Sequence, residues 1–311
     1  MTMRLQQLRC FVAVAQRRHF THAAIKVGVT QPSLSKQIHR LEAELGAPLF
    51  SRIRSNVTLT PAGEALLPIA TRILADIETA RREVQEIVGV RRGRVRLGVT
   101  PSLCTSLLPP VLRRFRAEHP QVDLRIEEGG SRHLVRNLRH GELDLAMIVQ
   151  PSQGVDPSLR AEPILRERLV VVSVAPLAVA SPQNTVRIAD LRDESLVMFR
   201  TGYDLREVTL QACREAGFEP SFAVEGGEMD AVLSFVEAGL GVAVVPGNVV
   251  SGRPRLRATP LAPPGVLRTI ALAHRREADL THAATAMQTA LLTYLTDAAR
   301  EGSLPSGLEL V

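Results

Sequence analysis

The sequence predicts an N-terminal all-α winged helix-turn-helix that runs into a long linker helix, followed by a C-terminal α/β body of two lobes. Three observations carry this. Charge sits at one end: residues 1–92 hold 14 Lys and Arg against 7 Asp and Glu, while the rest of the 311-residue chain holds 24 against 25, so the formal net charge of +6 comes from the N-terminal third. Apolar residues in that third recur at three- and four-residue steps, the helical period. Beyond residue 93 short apolar strands alternate with helical stretches, the pattern of a parallel α/β fold. A basic module beside a near-neutral body points to a part that touches a polyanion and a remainder with another task.

Leu5, Leu8, Phe11, Val12 and Ala15 form one apolar stripe, a first helix ended by Arg17, Arg18 and His19. Thr21 is the expected cap of a second helix, where Ala23 and Ala24 allow close packing and Gly28 ends the run. A third helix begins with Thr30 as cap and Pro32 in the first turn, where a missing N–H costs nothing. Leu34, Ile38 and Leu41 face the core, and Gln31, Ser33, Ser35, Lys36, Gln37, His39 and Arg40 line the outer face. Two helices joined by a short Gly-containing turn, the second polar and basic outside, make a helix-turn-helix. Arg52, Ile53 and Arg54, then Val57, Thr58 and Leu59, predict a two-stranded wing with Ser55 and Asn56 near its tip. Most contacts to DNA go to the backbone, so Lys36 and Arg40 suit phosphates, whereas the Gln31 amide and Ser33 hydroxyl suit base edges.

Thr60 caps the next helix and Pro61 takes its first position. Leu66, Ala70, Ile73, Ile77, Ala80, Val84 and Ile87 then step by four and three over three heptads, with charges mostly off the seam. Pro68 is expected to interrupt the first turns. A 3.5-residue period favours a partner helix, most simply the copy in a dimer. After Gly93 come strands at Val95–Val99, Val122–Ile126 and Leu143–Val149 with helices between them. The unit then repeats as strands Leu169–Val174, Leu196–Phe199, Phe222–Glu225 and Val242–Val245, closed by strand Leu267–Ala273 and helix Leu280–Ala299. Strands crossing near residues 167 and 268 would leave a cleft between two lobes of about 100 residues each.

Other function classes find little support. No run of 18 apolar residues and no signal-peptide core is present, so a cytoplasmic protein without a membrane partner is expected. Cys10, Cys104 and Cys213 lack metal-ligand spacing and read as reduced thiols, although Cys104 with Cys213 stays open as a redox pair. The eight histidines do not cluster, and no phosphate-binding loop or nucleophile elbow occurs. No metal, cofactor or catalytic residue is expected. Gly302, Pro305 and Gly307 break any helix in the last ten residues, which read as a tail.

By this point the residues match a family. Phe20-Thr21-x-Ala23-Ala24, Thr30-Gln31-Pro32-Ser33-Leu34-Ser35-Lys36-Gln37-Ile38, Leu41-Glu42-x-Glu44-Leu45-Gly46, Leu49-Phe50-x-Arg52 and Leu59-Thr60-Pro61-Ala62-Gly63 occur in order. Gly217-Phe218-x-Pro220, Val236-x-Ala238-Gly239-Leu240-Gly241-Val242 and Val245-Pro246 follow in the body. Across essentially its whole length the chain resembles the LysR-type bacterial transcriptional regulators.

The resemblance implies a winged helix-turn-helix at residues 1–60 and a dimerising linker helix at 61–92. It implies an effector domain like a periplasmic binding protein at 93–300, with lobe I at 93–166 and 268–300, lobe II at 167–267, and a tail at 301–311. It implies homodimers that pair into homotetramers, promoter DNA as partner, contact with RNA polymerase, and a small effector between the lobes. Carried over by position, Thr30, Gln31, Pro32, Ser33, Ser35, Lys36, Gln37 and Arg40 fall on the DNA-reading helix, with Arg52 and Arg54 on the wing. Thr100-Pro101-Ser102 and Ser131 match effector-contacting loops of the first lobe. Arg200, Thr201 and Tyr203, with Val245 and Pro246, match the second. An Arg200 facing the cleft would favour an anionic effector. Ser55 and Asn56 replace the basic residues frequent in the family's wings, which implies weaker phosphate contact there. The alternative reading is a cytosolic solute-binding protein whose basic arm tethers it to DNA without sequence preference.

Overall fold

The computed structural model describes residues 3–53, 56–87, 93–151, 154–177 and 184–311, and the backbone alone for residues 52, 53, 56, 82, 83 and 85–87. It divides into two compact units, residues 1–91 with 139–142, and residues 92–138 with 143–311.

The first unit opens with α1 (Leu5–Arg17), α2 (Phe20–Val27) and α3 (Gln31–Leu45). Leu8, Phe11 and Val14 of α1, Ala23 and Ala24 of α2, and Leu34, Ile38 and Leu41 of α3 close into one core. The cap of α2 differs from the expectation. Thr21 lies inside the helix, and His19 is the cap, its Nδ1 accepting from the His22 N–H at 3.5 Å. The helix starts early because Phe20 packs edge-on to Phe50, with ring centroids 5.9 Å apart. Gly28 ends α2 at φ 74°, and Thr30 Oγ1 accepts the Ser33 N–H at 3.4 Å to start α3.

The wing is the antiparallel pair β1 (Phe50–Ile53) and β2 (Asn56–Leu59), with Phe50 opposite Leu59. Arg54 and Ser55 lie outside the described residues, as does the Arg52 side chain. Glu42 Oε1 accepts from the Leu49 N–H at 2.8 Å and fixes the turn into the wing. Thr60 accepts the Gly63 N–H at 3.1 Å and starts α4 (Pro61–Ile87). Gly63 has no room for a side chain, since a Cβ there would stand 2.2 Å from the Leu49 carbonyl oxygen.

Helix α4 is assigned without a break through Pro68, where the sequence predicted an interruption. Packing of Leu66, Leu67, Ile73 and Leu74 on the core outweighs the one hydrogen bond the proline forfeits. The heptad seam also differs over its first half. Ala70 is fully buried in the core of its own unit, and Leu66 and Ile73 pack against that core. A heptad stripe fits any neighbouring helix, and here α1 is that neighbour. Further along, Ile77 is half-buried and Ala80 and Val84 are exposed, Val84 at 62%. The Ile87 side chain lies outside the described residues.

In the second unit β3 (Arg94–Val99) pairs in parallel with β4 (Asp123–Glu128) and β5 (Leu145–Val149). Helices α5 (Pro101–Ser106), α6 (Leu108–Glu118) and α7 (Ser131–Arg139) connect them. Strand β6 (Leu159–Ser173) is much longer than the apolar run at Leu169–Val174 suggested, and it carries the chain out of this core. A separate parallel pair, β7 (Ser195–Met198) with β8 (Ser221–Glu225), alternates with α8 (Asp204–Glu215) and α9 (Met229–Glu237). Strands β9 (Ala243–Pro246) and β10 (Arg257–Pro260) pair antiparallel with the far half of β6. Strand β11 (Leu267–Arg275) returns beside the near half, also antiparallel, and α10 (His282–Glu301) packs on the first lobe. The sheet is therefore mixed rather than parallel throughout, because each crossing strand runs against its neighbours. Residues 301–311 are not a loose tail: β12 (Leu308–Leu310) pairs with β6 and buries Leu308.

The two lobes have separate cores. Val95, Leu97, Phe115, Met147, Leu165 and Ile270 belong to one, and Leu169, Leu196, Phe199, Val232, Val245 and Leu261 to the other. Strand β6 passes between them from Leu165 to Leu169, and the chain returns between Leu261 and Ile270. Among the described residues no helix is long and apolar enough to cross a membrane.

Candidate functional site

The outer face of α3 is built by its own periodicity. With Leu34, Ile38 and Leu41 buried, Gln31, Pro32, Ser33, Lys36 and Arg40 are exposed, and Ser35 and Gln37 are half-buried. Gln31 Nε2 donates to Ser35 Oγ at 3.1 Å, which holds the amide at the start of the helix. The two acids of α3 are drawn off this face. Glu42 holds the turn into the wing, and Glu44 accepts from Gln7 Nε2 at 3.5 Å. Lys36 and Arg40, one turn apart, have no ion pair among the described residues. The face thus presents an amide, hydroxyls and two uncompensated cations, donors suited to base edges and phosphates.

The second site lies between the lobes. Thr100 precedes α5 but does not cap it: its hydroxyl makes no bond to the helix. Thr100 Oγ1, Ser102 Oγ and the Tyr203 hydroxyl are all buried without a hydrogen-bond partner among the described residues, the first two from one lobe and the third from the other. They border one narrow cavity of about 10 Å³ together with Pro101, Asp204 and Arg268. That is room for about one water. Tyr203 stacks flat on Phe199 at 4.8 Å, and burial pushes its phenol above the ordinary range, so the group stays a neutral donor. Ser131 is committed elsewhere. Its hydroxyl donates to Asp204 Oδ2 at 2.6 Å and accepts from the Val149 N–H at 2.9 Å, and its own N–H donates to Asp204 at 3.0 Å. This latch ties the two lobes.

The floor of the cleft holds residues that sequence reasoning did not single out. Arg268 on β11, 4% exposed, donates to Glu167 on β6, fully buried, through Nε at 2.9 Å and through Nη2. Asn248, just past β9, donates to the same carboxylate at 3.2 Å and to Ser106 Oγ at 3.1 Å. The signal was a pair of opposite charges inside the two apolar crossing strands, at positions where chain alone cannot say that they meet. Arg200 and Thr201 are exposed; Arg200 pairs with Glu228 at 2.7 Å and is not brought into the narrow cavity. Val245 and Pro246 are buried in β9 and do not border the narrow cavity.

The cysteines are free thiols in separate places. Cys213 is buried in the second lobe's core, and Cys104 packs against the first lobe's. Burial, with Glu128 beside it, pushes Cys104 up to about 11, and burial takes Cys213 to about 11 as well. Such thiols are weak nucleophiles at neutral pH.

A helix-turn-helix with a wing, joined to a two-lobed body with polar groups facing across a cleft, defines a DNA-binding regulator with a sensing domain. Comparison with known proteins gives the family. The model "Bacterial regulatory helix-turn-helix protein, lysR family" matches residues 5–64, and "LysR substrate binding domain" matches residues 89–296. The chain belongs to the LysR family of transcriptional regulators. It is 33% identical over 282 residues to the transcriptional dual regulator GltC of Bacillus subtilis, covering 89% of this chain and 93% of that protein. Its structure is similar to full-length OxyR from Pseudomonas aeruginosa, a cysteine-to-aspartate variant, with a TM-score of 0.71, 27% identity and coverage of 99% and 98% of the two chains. Full-length CbnR in complex with its target DNA shares the fold, with a TM-score of 0.67, 24% identity and coverage of 96% and 100%.

Proposed function

We propose that this regulator reads its promoter through Gln31 and Ser33, holds phosphates through Lys36 and Arg40, and senses a small effector at Thr100, Ser102 and Tyr203. The observation that carries the sensing role is the set of three buried hydroxyls without partners, presented by facing lobes. A buried polar group left unpaired costs about 1–3 kcal/mol, so a molecule that accepts from all three recovers that cost only when it is bound. The donors suit a small acceptor-rich effector, a carboxylate among the candidates. Arg200 adds no free charge to that preference, because Glu228 already matches it.

A cavity of about 10 Å³ requires the lobes to part for such a molecule to enter. The Ser131–Asp204 latch would break and re-form around it. A ligand shifts a conformational equilibrium only through contacts that differ between the two states, and a latch exchanged for ligand contacts supplies that difference. The protein acts by binding rather than by turnover. It works as a homodimer, or a tetramer of two dimers, through the exposed end of α4, with RNA polymerase as a further partner. A promoter-binding protein belongs in the cytoplasm.

The test is a footprint on the region upstream of the chain's own gene, with and without candidate carboxylates. Thr100→Val is isosteric and removes only the hydroxyl. It is expected to keep effector-free DNA affinity within about twofold, since distant sites act independently, and to lose the effector-induced change in the footprint. A Thr100→Val protein that responds like the wild type would refute the sensing role. Sequence-blind binding by the wild type would refute the promoter reading.

A further inference from the structure

The end of the chain lies on the crossing between the lobes. After α10 the chain turns back, with the Leu308 N–H donating to the Pro305 carbonyl at 3.1 Å. Strand β12 then runs antiparallel to β6, with Leu308 opposite Glu167 and Leu310 opposite Leu165. Strand β9 runs antiparallel to the next stretch of β6, with Pro246 opposite Leu169 and Ala243 opposite Val172. Arg168 is left between the two. Its N–H donates to the Gly307 carbonyl at 2.8 Å, and its guanidinium donates to Glu309 at 2.8 Å. Strand β11 takes the other edge, with Leu267 opposite Arg168.

Strands β9 and β12 share one edge of β6 and abut there. A Cβ on Gly307 would stand 3.5 Å from the Cα of Gly247, the residue directly after β9. On opposite edges the two would be about 10 Å apart, twice the strand spacing. They also come from different lobes: Val244 and Val245 of β9 belong to the second core, and Leu308 of β12 belongs to the first. A rotation of one lobe against the other is absorbed by the backbone of a few residues in the crossing strands. In β6 Arg168 is such a residue, and both strand ends meet opposite it. A rotation that swings β9 toward β12 is stopped by two backbones already in contact. A rotation the other way must part Gly247 from Gly307. Asn248, the next residue, ties the same junction to the first lobe, donating to Ser106 Oγ at 3.1 Å and to Glu167 at 3.2 Å.

We propose that residues 303–311 are a strap that sets the angle between the lobes, by holding β12 of the first lobe end to end with β9 of the second at Arg168. The strap acts whether or not a molecule occupies the cleft, so it does not rest on the effector site proposed above. A molecule that binds at another lobe angle works against the strap, and its apparent affinity falls with the population of that angle.

Amide hydrogen exchange of the full chain, with no ligand added, tests this. The Ser131 N–H donates to Asp204 across the lobes, so its exchange requires that bond to open. A chain ending at Gly302 lacks the strap. Gly307→Val keeps Leu308 but sets a β-branched side chain at φ 80°, with its Cβ 3.3 Å from the Arg168 carbonyl oxygen. In both variants the Ser131 N–H is expected to exchange at least about fivefold faster than in the wild type, while the α10 amides of Gly307→Val keep their wild-type rates. The inference is overturned if Ser131 exchanges at the wild-type rate in both variants. It is equally overturned if the α10 amides of Gly307→Val speed up as much as Ser131, which would make the segment a support of the first lobe alone.

Discussion

Glu167→Gln tests what holds the two lobes in register. Glu167 is fully buried and Arg268 is 4% exposed. The substitution keeps an acceptor for Asn248 but leaves the guanidinium buried without a counter-charge. Removing one partner of such a pair costs about 3–5 kcal/mol, mostly the penalty of the stranded charge. A unit of this size loses about 2–4 °C of Tm per kcal/mol, so a fall of about 6–20 °C is expected. Replacing both partners, as Glu167→Leu with Arg268→Met, removes the stranded charge. The remaining loss is the acceptor of Asn248, about 1 kcal/mol. The double variant is thus expected to be more stable than Glu167→Gln by about 2–4 kcal/mol. Tyrosine fluorescence in urea is a direct assay, because the chain has no tryptophan and both tyrosines, Tyr203 and Tyr294, lie in the second unit. A Glu167→Gln loss under about 1 kcal/mol, or a double variant less stable than the single, would refute the reasoning, since it would mean that the charge finds water.

Three further outcomes are expected. Gln31→Ala should cost about 1–3 kcal/mol on the specific site and relax base preference, while Lys36→Ala should weaken specific and random DNA alike and lower the salt slope by about one unit; fluorescence anisotropy against salt separates the two. Val84→Glu should disrupt the oligomer seen by light scattering with the melting of the first unit unchanged, because Val84 is 62% exposed, whereas Ala70→Glu should unfold that unit by burying a charge in its core. At pH 8 the Cys104 and Cys213 thiols, raised to about 11, hold about 0.1% thiolate, so a disulfide reagent should label them about two orders of magnitude more slowly than an ordinary thiol. The rate should rise about tenfold per pH unit and become fast for all three cysteines in urea; rapid native labelling of Cys104 would count against the burial that raises it.

The sequence by itself determined what local chemistry determines. Thr30 and Thr60 mark helix starts and Gly28 a helix end, because caps act over three or four residues. The period of Leu34, Ile38 and Leu41 decides which face of α3 is free, and a charge excess confined to residues 1–92 says what that face meets. Alternating strands and helices give two lobes and a cleft, and strand ends place Thr100 and Ser102 beside it.

The tertiary structure decided who meets whom. The heptad stripe of α4 could face a partner or its own domain, and the pattern is the same for both; only the position of α1 puts Ala70 inside. Glu167 and Arg268 are 101 residues apart, and nothing local to either says that they close one ion pair. Ser131 and Asp204 look like a loop serine and a helix-start acid until the lobes bring them to 2.6 Å. Arg200 reads as a free cation until Glu228 is found beside it. Hydroxyls at Thr100 and Ser102 could equally have been caps. They are unpartnered because the facing lobe brings Tyr203, a third unpaired hydroxyl, rather than an acceptor. Periodicity and capping depend on neighbours along the chain, but the strength of a charge or a hydroxyl depends on what the fold sets against it and on how much water it excludes.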